Sequence, residues 1–194
     1  MTGVKTGEDE FFLGRAIRLL VLVPHRDARL RLLKWCGLLW EAGLPGAWSF
    51  PRVAPLAVLG RRPSGDLPAP PARTLVEHAR PPDGKFRLGP PALAGLPLET
   101  ESGPLFAFGP SLETALPENF PSEWDGIPVR RISPTVIGAA LLRGPVPAGL
   151  PPAPEFAFRA AALAVMRLRI PPGAGDFSAE WEIGGLRWLA KGAG

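Results

Sequence analysis

Prolines are the feature that most limits how this chain can fold, because 26 of them lie among its 194 residues. Proline has no backbone N–H and a fixed φ, so it ends helices and is confined to the edges of sheets. Pro24 closes the apolar run that begins at Ala16. The proline-rich stretches 61–72 and 145–154 are typical of exposed loops. Regular elements are expected between these positions.

The segment 16–24 predicts a buried strand, and the residues after it predict a helix over 27–42. Asp27 is the expected N-cap of this helix, and Gly43 suits its C-terminal cap. Further on, the apolar second half of 49–60 predicts a strand, whereas Pro51 and Pro55 place its first half at an edge or in a loop. The expected buried face of the helix recurs at helical spacing and consists of Ala28, Leu32, Trp35, Cys36 and Leu39, with Trp40 also expected in the core.

The middle of the chain is broken into short pieces by glycine and proline. A short helix is predicted near 73–80, and a polar connector with a helical turn is predicted over 109–128. A strand is predicted at 135–142. Three short extended pieces of a meander are predicted at 86–89, 91–97 and 104–108.

The last third favours a long hairpin. Alternation of Leu163, Val165 and Leu168 with arginines predicts a strand over 156–170, and the alanines leave a helix as the alternative. The turn 171–176 and the alternating segment 179–189 favour the strand. In this hairpin Trp181 and Trp188 are expected to pack across strands.

Composition excludes several classes of protein. The net charge is only +4, and the abundance of arginine, proline and glycine with no tyrosine also suits a GC-rich bacterial genome, which weakens the basic pI as a sign of nucleic-acid binding. One cysteine, Cys36, excludes an internal disulfide and a cysteine-based metal site. We expect no cofactor, no metal and no membrane anchor, and the acidic start of the chain indicates a cytoplasmic protein without a signal peptide.

The order of predicted elements resembles that of the two-histidine phosphoesterases, the LigT-like RNA 2′,3′-cyclic phosphodiesterase family. The resemblance is carried by WSFPRVAPLAVLGR at 48–61, ISPTVIGAALLRG at 132–144 and the closing segment 156–183. It implies an α+β fold with two duplicated lobes and antiparallel-rich sheets around a central groove. After a tail at 1–14, residues 15–190 would form one domain, with lobes at 15–60 plus 145–190 and at 61–144. Helix 27–42 would pack outside.

The family's reactive residues are missing from this chain. Each lobe of the family carries a His-x-Thr/Ser-x motif after a proline, and the two imidazoles act as acid and base. The corresponding positions hold Leu56 and Val58 in the first lobe, with Arg52 in a shifted register, and Thr135 and Ile137 in the second. The only histidines are His25, predicted as a solvated loop residue, and His78, predicted on a polar helix face. No catalytic residues are therefore assigned.

Arginines supply the remaining signal for a ligand. Arg52, Arg131 and Arg143 lie near the two motif-like strands, and guanidinium groups suit phosphate. Arginines that merely keep apolar strands soluble are the alternative interpretation. We expect a non-catalytic binding protein whose groove takes RNA, a nucleotide or a protein partner. The alternative is a phosphodiesterase-type hydrolase that uses arginine, Thr135 and an acidic residue. The groove residues expected from this interpretation are Arg52, Leu56, Val58, Arg131, Thr135, Ile137 and Arg143.

Overall fold

A computed structural model describes residues 16–60, 84–100, 103–113, 121–124, 126–171 and 178–189. Every strand pairing in this part of the chain is antiparallel. The elements in chain order are β1 (Ala16–Pro24), α1 (Arg26–Glu41), β2 (Ala54–Leu59), β3 (Phe86–Thr100), β4 (Gly103–Glu113), β5 (Glu123–Trp124), β6 (Ile127–Arg131), β7 (Ala140–Leu142), β8 (Ala157–Phe158), β9 (Ala160–Arg169) and β10 (Glu180–Trp188).

The strands form two sheets that share one core. The six-stranded sheet has the order β10-β9-β1-β2-β6-β5, and the four-stranded sheet has the order β7-β4-β3-β8. Side chains alternate across a strand, so Ile17, Leu19 and Val21 of β1 all point to one face. There they join Leu96 of β3 and Leu105 of β4 in the largest hydrophobic cluster. The two sheets are thus held face to face by apolar contacts.

Helix α1 contributes to two further hydrophobic clusters. Ala28 and Leu32 pack in a second cluster with Leu22 of β1, while Trp35 and Cys36 pack in a third cluster that includes Phe108 of β4. The helix ends in a Schellman motif, in which the Leu44 N–H donates to the carbonyl of Leu39 and the Gly43 N–H donates to that of Trp40. Gly43 has φ of 82°, which glycine adopts without strain.

Residues 132–139, which we call the crossing segment, connect the two sheets by backbone hydrogen bonds. On one side, the N–H of Ile132 donates to Leu56 and the N–H of Gly138 donates to Val53. On the other side, the segment bonds to β4: the N–H groups of Ile137 and Ala139 donate to Pro110 and Phe108, and the carbonyl of Thr135 accepts from Leu112. Ser133 and Pro134 are exposed, whereas the other residues of the segment are buried and its backbone makes these hydrogen bonds to both sheets.

The expected α+β class with antiparallel-rich sheets is confirmed, and so are β1, β2, the long strand β9, and the buried face of α1. The duplicated two-lobe arrangement stays a prediction. The predicted helix at 73–80 lies outside the described residues. No helix in the described ranges has the length and apolar character needed to cross a bilayer.

Several local predictions were wrong, for identifiable reasons. The three-piece meander is instead one long hairpin of β3 and β4, whose bulges accommodate the prolines. The predicted strand at 135–142 is reduced to β7, because the crossing segment bonds to both sheets in turn. Helix α1 begins one residue before the expected cap, so Asp27 lies in its first turn, where a carboxylate favours the helix dipole. Trp40 is 59% exposed rather than in the core.

The crossing segment leaves no room for a side chain at Gly109, where an added Cβ would collide with the Ile137 carbonyl oxygen. Because backbone cannot move aside as a flexible side chain would, we expect Gly109→Ala to lower the free energy of unfolding by about 3 kcal/mol. Gly95→Ala, in the paired strand β3, is the control because nothing lies within 4 Å of its added Cβ. Urea unfolding of both variants measures the difference. Equal stabilities would show that the close approach is absent.

Candidate ligand-binding site

A pocket of about 730 Å³ opens where the N-terminus of α1 meets the segment 156–161 and the end of β10. This volume lies in the range typical of small-molecule sites, roughly 300–1,000 Å³. The elements come together because β1 and β9 pair up to Pro24 and Ala160, and α1 starts directly after β1. The pocket is lined by His25, Asp27, Ala28, Arg31, Gly84, Phe86, Phe156, Ala157, Phe158, Arg159, Ala160, Ala161, Trp188 and Leu189.

Aromatic rings form one wall of this pocket. Phe86 and Phe158 are buried and stacked, with ring centroids 5.5 Å apart, and Phe156 meets Phe158 edge-on at 6.2 Å. β8 pairs with the start of β3, which sets Phe86 opposite Phe158. Trp188, at the end of β10, is 70% exposed and supplies a further ring at the pocket. Within this aromatic wall, the packed rings of Phe86 and Phe158 form a fixed floor, and Phe156 and Trp188 add accessible ring surface.

Positive charge lies beside the aromatic wall. The Arg31 guanidinium carbon sits 5.4 Å from the centre of the Phe156 ring, a cation–π distance. Arg159 also lines the pocket, and its carbonyl accepts a hydrogen bond from the His25 N–H at 3.0 Å, which fixes this loop to the start of α1. The first N–H groups of a helix have no intrahelical partners, so they add partial positive charge at the same end.

His25 and Asp27 complete the polar lining. His25 Nδ1 lies 3.8 Å from Asp27 Oδ2, and both side chains are mostly exposed. At this distance the pair is too long for a hydrogen bond, and the carboxylate attracts the imidazole only when the ring is protonated. Among the described residues, no group of three or more histidine, cysteine, aspartate or glutamate side chains is arranged to hold a metal ion.

The apolar residues expected at the groove lie in the protein core. Leu56, Val58 and Ile137 are at most 1% exposed. Leu56 and Ile137 pack in the cluster that contains Ala28 and Leu32 of α1, and Val58 packs between the sheets. Thr135 is also buried, and its hydroxyl donates to the Ile132 carbonyl at 3.4 Å. None of these four residues lines the pockets described here.

The three candidate arginines are carried by different parts of the fold. Arg131 is exposed at the end of β6, in the six-stranded sheet, whereas Arg143 follows β7, in the four-stranded sheet. Arg52 lies 5.7 Å from the Trp48 ring centre and lines a separate pocket of about 250 Å³ with Leu30 and Trp181. None of the three lines the large pocket.

The aromatic wall is not predicted from the sequence, whereas His25, expected as a solvated loop residue, has a side chain that is 60% exposed. The signal was present in FAFRA at 156–160, where two aromatic residues alternate with alanine and an arginine follows. Such alternation is equally typical of a strand with one buried face, so it predicts a strand and not a ligand contact. Only the pairing of β8 with β3 brings these rings next to the start of α1.

Cys36 lies outside the pocket, in the cluster between α1 and β4, where its thiol approaches the Ala139 carbonyl at 3.6 Å. Burial raises the pKa of this thiol above its usual value of 9.0, and the nearby Arg52 acts in the opposite direction without cancelling the effect. A buried thiol with a raised pKa forms little thiolate at neutral pH, and the thiolate is the reactive form.

We therefore expect Cys36 to react with a thiol-specific reagent at pH 7 at least about 100-fold more slowly in the native protein than in guanidinium chloride. The change in absorbance of Ellman's reagent measures both rates. A Cys36→Ala, Lys34→Cys variant, with its only cysteine on the exposed face of α1, should react rapidly without denaturant. Rapid labelling of the native wild-type chain would contradict the burial of this thiol.

Comparison of the chain with family models, with curated proteins and with solved structures gave no match.

Proposed function

We propose that this chain is a non-catalytic binding protein whose large pocket takes a nucleotide. The observation that carries this proposal is the meeting, in one pocket, of an aromatic wall, two arginines and the N-terminus of a 16-residue helix. A nucleotide has the two matching parts, a flat aromatic base and an anionic phosphate.

The aromatic wall supports the base. Stacking of a base on an aromatic side chain contributes about 1–3 kcal/mol and tolerates any base, because every base has a π-face. Trp188 and Phe156 both present ring surface to the pocket, while the packed pair Phe86 and Phe158 keeps the floor rigid. The guanidinium of Arg31, already over the Phe156 ring, can also stack on a base.

The basic residues beside the aromatic wall support the phosphate. Arg31 and Arg159 offer guanidinium forks, which pair with phosphate oxygens through two parallel hydrogen bonds. The first turn of α1 lies at the pocket, and its N-terminus favours an anion, while the Asp27 carboxylate in the same turn acts in the opposite direction. The resemblance to two-histidine phosphoesterases, drawn from the sequence, points to the same class of ligand, a phosphate ester of a nucleoside.

Removal of the two pocket arginines should abolish the preference for a phosphorylated ligand. We expect wild-type protein to bind adenosine 5′-monophosphate more tightly than adenosine, and Arg31→Ala and Arg159→Ala each to raise the Kd for the nucleotide about tenfold, because charge-assisted hydrogen bonds contribute roughly 1.5–3 kcal/mol. Affinity for adenosine should change little in Arg159→Ala. Isothermal titration with the nucleotide, the nucleoside and inorganic phosphate separates the two parts of the site.

Arg131→Ala is the matched control, since Arg131 is exposed and lies outside the pocket. It should leave nucleotide affinity unchanged. If Arg131→Ala weakens binding and the pocket variants do not, the ligand sits at the arginine rim expected from the sequence. Phosphate binding to wild type without any gain from the nucleoside would contradict a base-stacking pocket.

A hydrolase is the second candidate, because His25 and Asp27 line the same pocket. One imidazole can accept a proton from water, but the leaving oxygen also needs a proton donor in two-histidine chemistry. Among the described residues that line the pocket, His25 alone carries an imidazole. The hydroxyl of Thr135, part of the alternative considered from the sequence, is buried and bonded to Ile132.

We therefore expect no metal-independent hydrolysis of a 2′,3′-cyclic nucleotide by the purified protein. A missing proton-transfer group typically costs on the order of 10²–10⁴-fold in rate. Chromatographic detection of the 2′- or 3′-monophosphate provides the measurement. Turnover that is lost in His25→Ala and retained in Arg131→Ala would replace the binding proposal with the hydrolase.

A further inference from the structure

β10 is the outermost strand of the six-stranded sheet, and its apolar side chains are exposed. It pairs with β9 on one side and has no further neighbour in the sheet order of the described residues. Trp181 is 47% exposed, Ile183 38%, Leu186 43% and Trp188 70%. An exposed edge strand offers unpaired N–H and carbonyl groups, and natural proteins normally protect such edges with charge, proline or a cover.

A one-residue bulge puts all four of these side chains on the same face. Gly184 pairs with Val165 and Leu186 with the next residue, Ala164, so Gly185 is the extra residue, with φ of 54°. Trp181 and Ile183 have odd numbers, and Leu186 and Trp188 even ones, so a regular strand would place the two pairs on opposite faces. After the bulge, all four lie opposite the core residues of β9, namely Ala162, Ala164, Met166 and Leu168.

The same residues are arranged as a self-complementary sequence. Read outward from the Gly184–Gly185 bond, WEIGGLRW pairs Ile183 with Leu186, Glu182 with Arg187, and Trp181 with Trp188. Aliphatic, opposite-charge and aromatic pairs are the cross-strand combinations that stabilise antiparallel sheets. Directly opposite residues must share a face, and the bulge at Gly185 gives Trp181 and Trp188 that common face.

We propose that two copies of this chain pair through antiparallel β10 edges, with a twofold axis passing between Gly184 and Gly185. Charge complementarity between Glu182 and Arg187 of the partner subunit occurs twice, once on each side of the axis. The six-stranded sheet continues from one copy into the other, and the exposed apolar face of each β10 extends that of its partner. Such an interface is isologous, as expected for a closed dimer.

This pairing also affects the large pocket, although it rests on separate observations. Trp188 lies at the pocket and at the end of β10. In the dimer it faces Trp181 of the partner subunit. A second indole then lies beside the accessible ring of the pocket, and each copy completes the aromatic edge of the other's site.

The mass in solution and its response to charge test the dimer. We expect light scattering to give twice the 20.7 kDa of one chain. Arg187→Glu sets like charges opposite each other at both symmetric positions, so it should raise the dissociation constant at least about tenfold. Glu182→Arg should do the same. A mixture of the two single variants should recover the dimer, because each copy then supplies the charge that the other needs.

The matched control for Arg187→Glu is Lys34→Glu, which makes the same change in net charge on the exposed face of α1. It should leave the dimer intact. Circular dichroism and thermal unfolding of each monomeric variant check that the fold is retained. A monomeric wild-type protein at about 1 mM, or a dimer that ignores all the β10 charge variants, would overturn the proposal.

Disulfide trapping tests the register without relying on charge. In a Cys36→Ala background, chains with Ile183→Cys alone or Leu186→Cys alone should not cross-link, since neither position faces itself across the axis. Their mixture should give a disulfide-linked dimer on mild oxidation, because residues 183 and 186 are directly opposite and within bonding distance. Cross-linking of either variant alone, to the same extent as the mixture, would contradict the proposed register.

Discussion

The two sheets depend on the crossing segment 132–139, because its backbone hydrogen bonds reach both of them. Apolar side chains between the sheets supply most of the driving force for packing, but they are not directional and would tolerate sliding. Directional hydrogen bonds fix the distance between the two sheets and their offset relative to each other. They come from the N–H groups of Ile132 and Gly138 on one side and of Ile137 and Ala139 on the other. Glycines at 109 and 138 permit this approach, since a side chain at either would collide with Ile137 or Phe50.

The position of the pocket follows from this arrangement. With the sheets fixed, β8 at the edge of the four-stranded sheet lies beside the ends of β1 and β9 in the other sheet. Helix α1 leaves β1 at that junction, so its polar N-terminus and the aromatic pair Phe86–Phe158 become neighbours. The two halves of the proposed site therefore come from separate layers. Helix α1 supplies the Arg31 guanidinium, and the four-stranded sheet supplies the aromatic pair.

The apolar pattern of the sequence was sufficient for α1 and β1. The spacing of Leu32, Trp35 and Leu39 specifies α1, and the apolar run of β1, interrupted by Arg18, specifies a strand covered on both faces. The crossing segment has no such periodicity. Its adjacent residues Val136 and Ile137 are both buried, although neither belongs to a regular strand. Trp40 follows the apolar spacing of Leu32 and Cys36, but its side chain is 59% exposed, whereas the adjacent Leu39 is buried.

The site was harder to predict because ligand contacts depend on long-range pairing. Residues near the proline-led strands were the candidates, yet Leu56, Val58 and Ile137 are buried in the core. The accessible aromatic and basic groups of the pocket belong to segments with no sequence motif. His25 shows the difficulty. Its place after a strand is visible in the sequence, but the neighbouring Arg159 carbonyl that fixes it is contributed by a residue more than 100 positions away.

The bulge at Gly185 makes one backbone conformation the sensitive property of β10. If residue 185 instead took a regular position in the ladder, alternation would turn over the segment beyond it. The indole of Trp188 would then emerge on the charged side with Glu180 and Glu182, and Arg187 would turn towards the core face. A replacement that disfavours positive φ at position 185 would thus favour inversion of half of the strand, whereas deletion of Gly185 would leave the remaining side chains on their present faces.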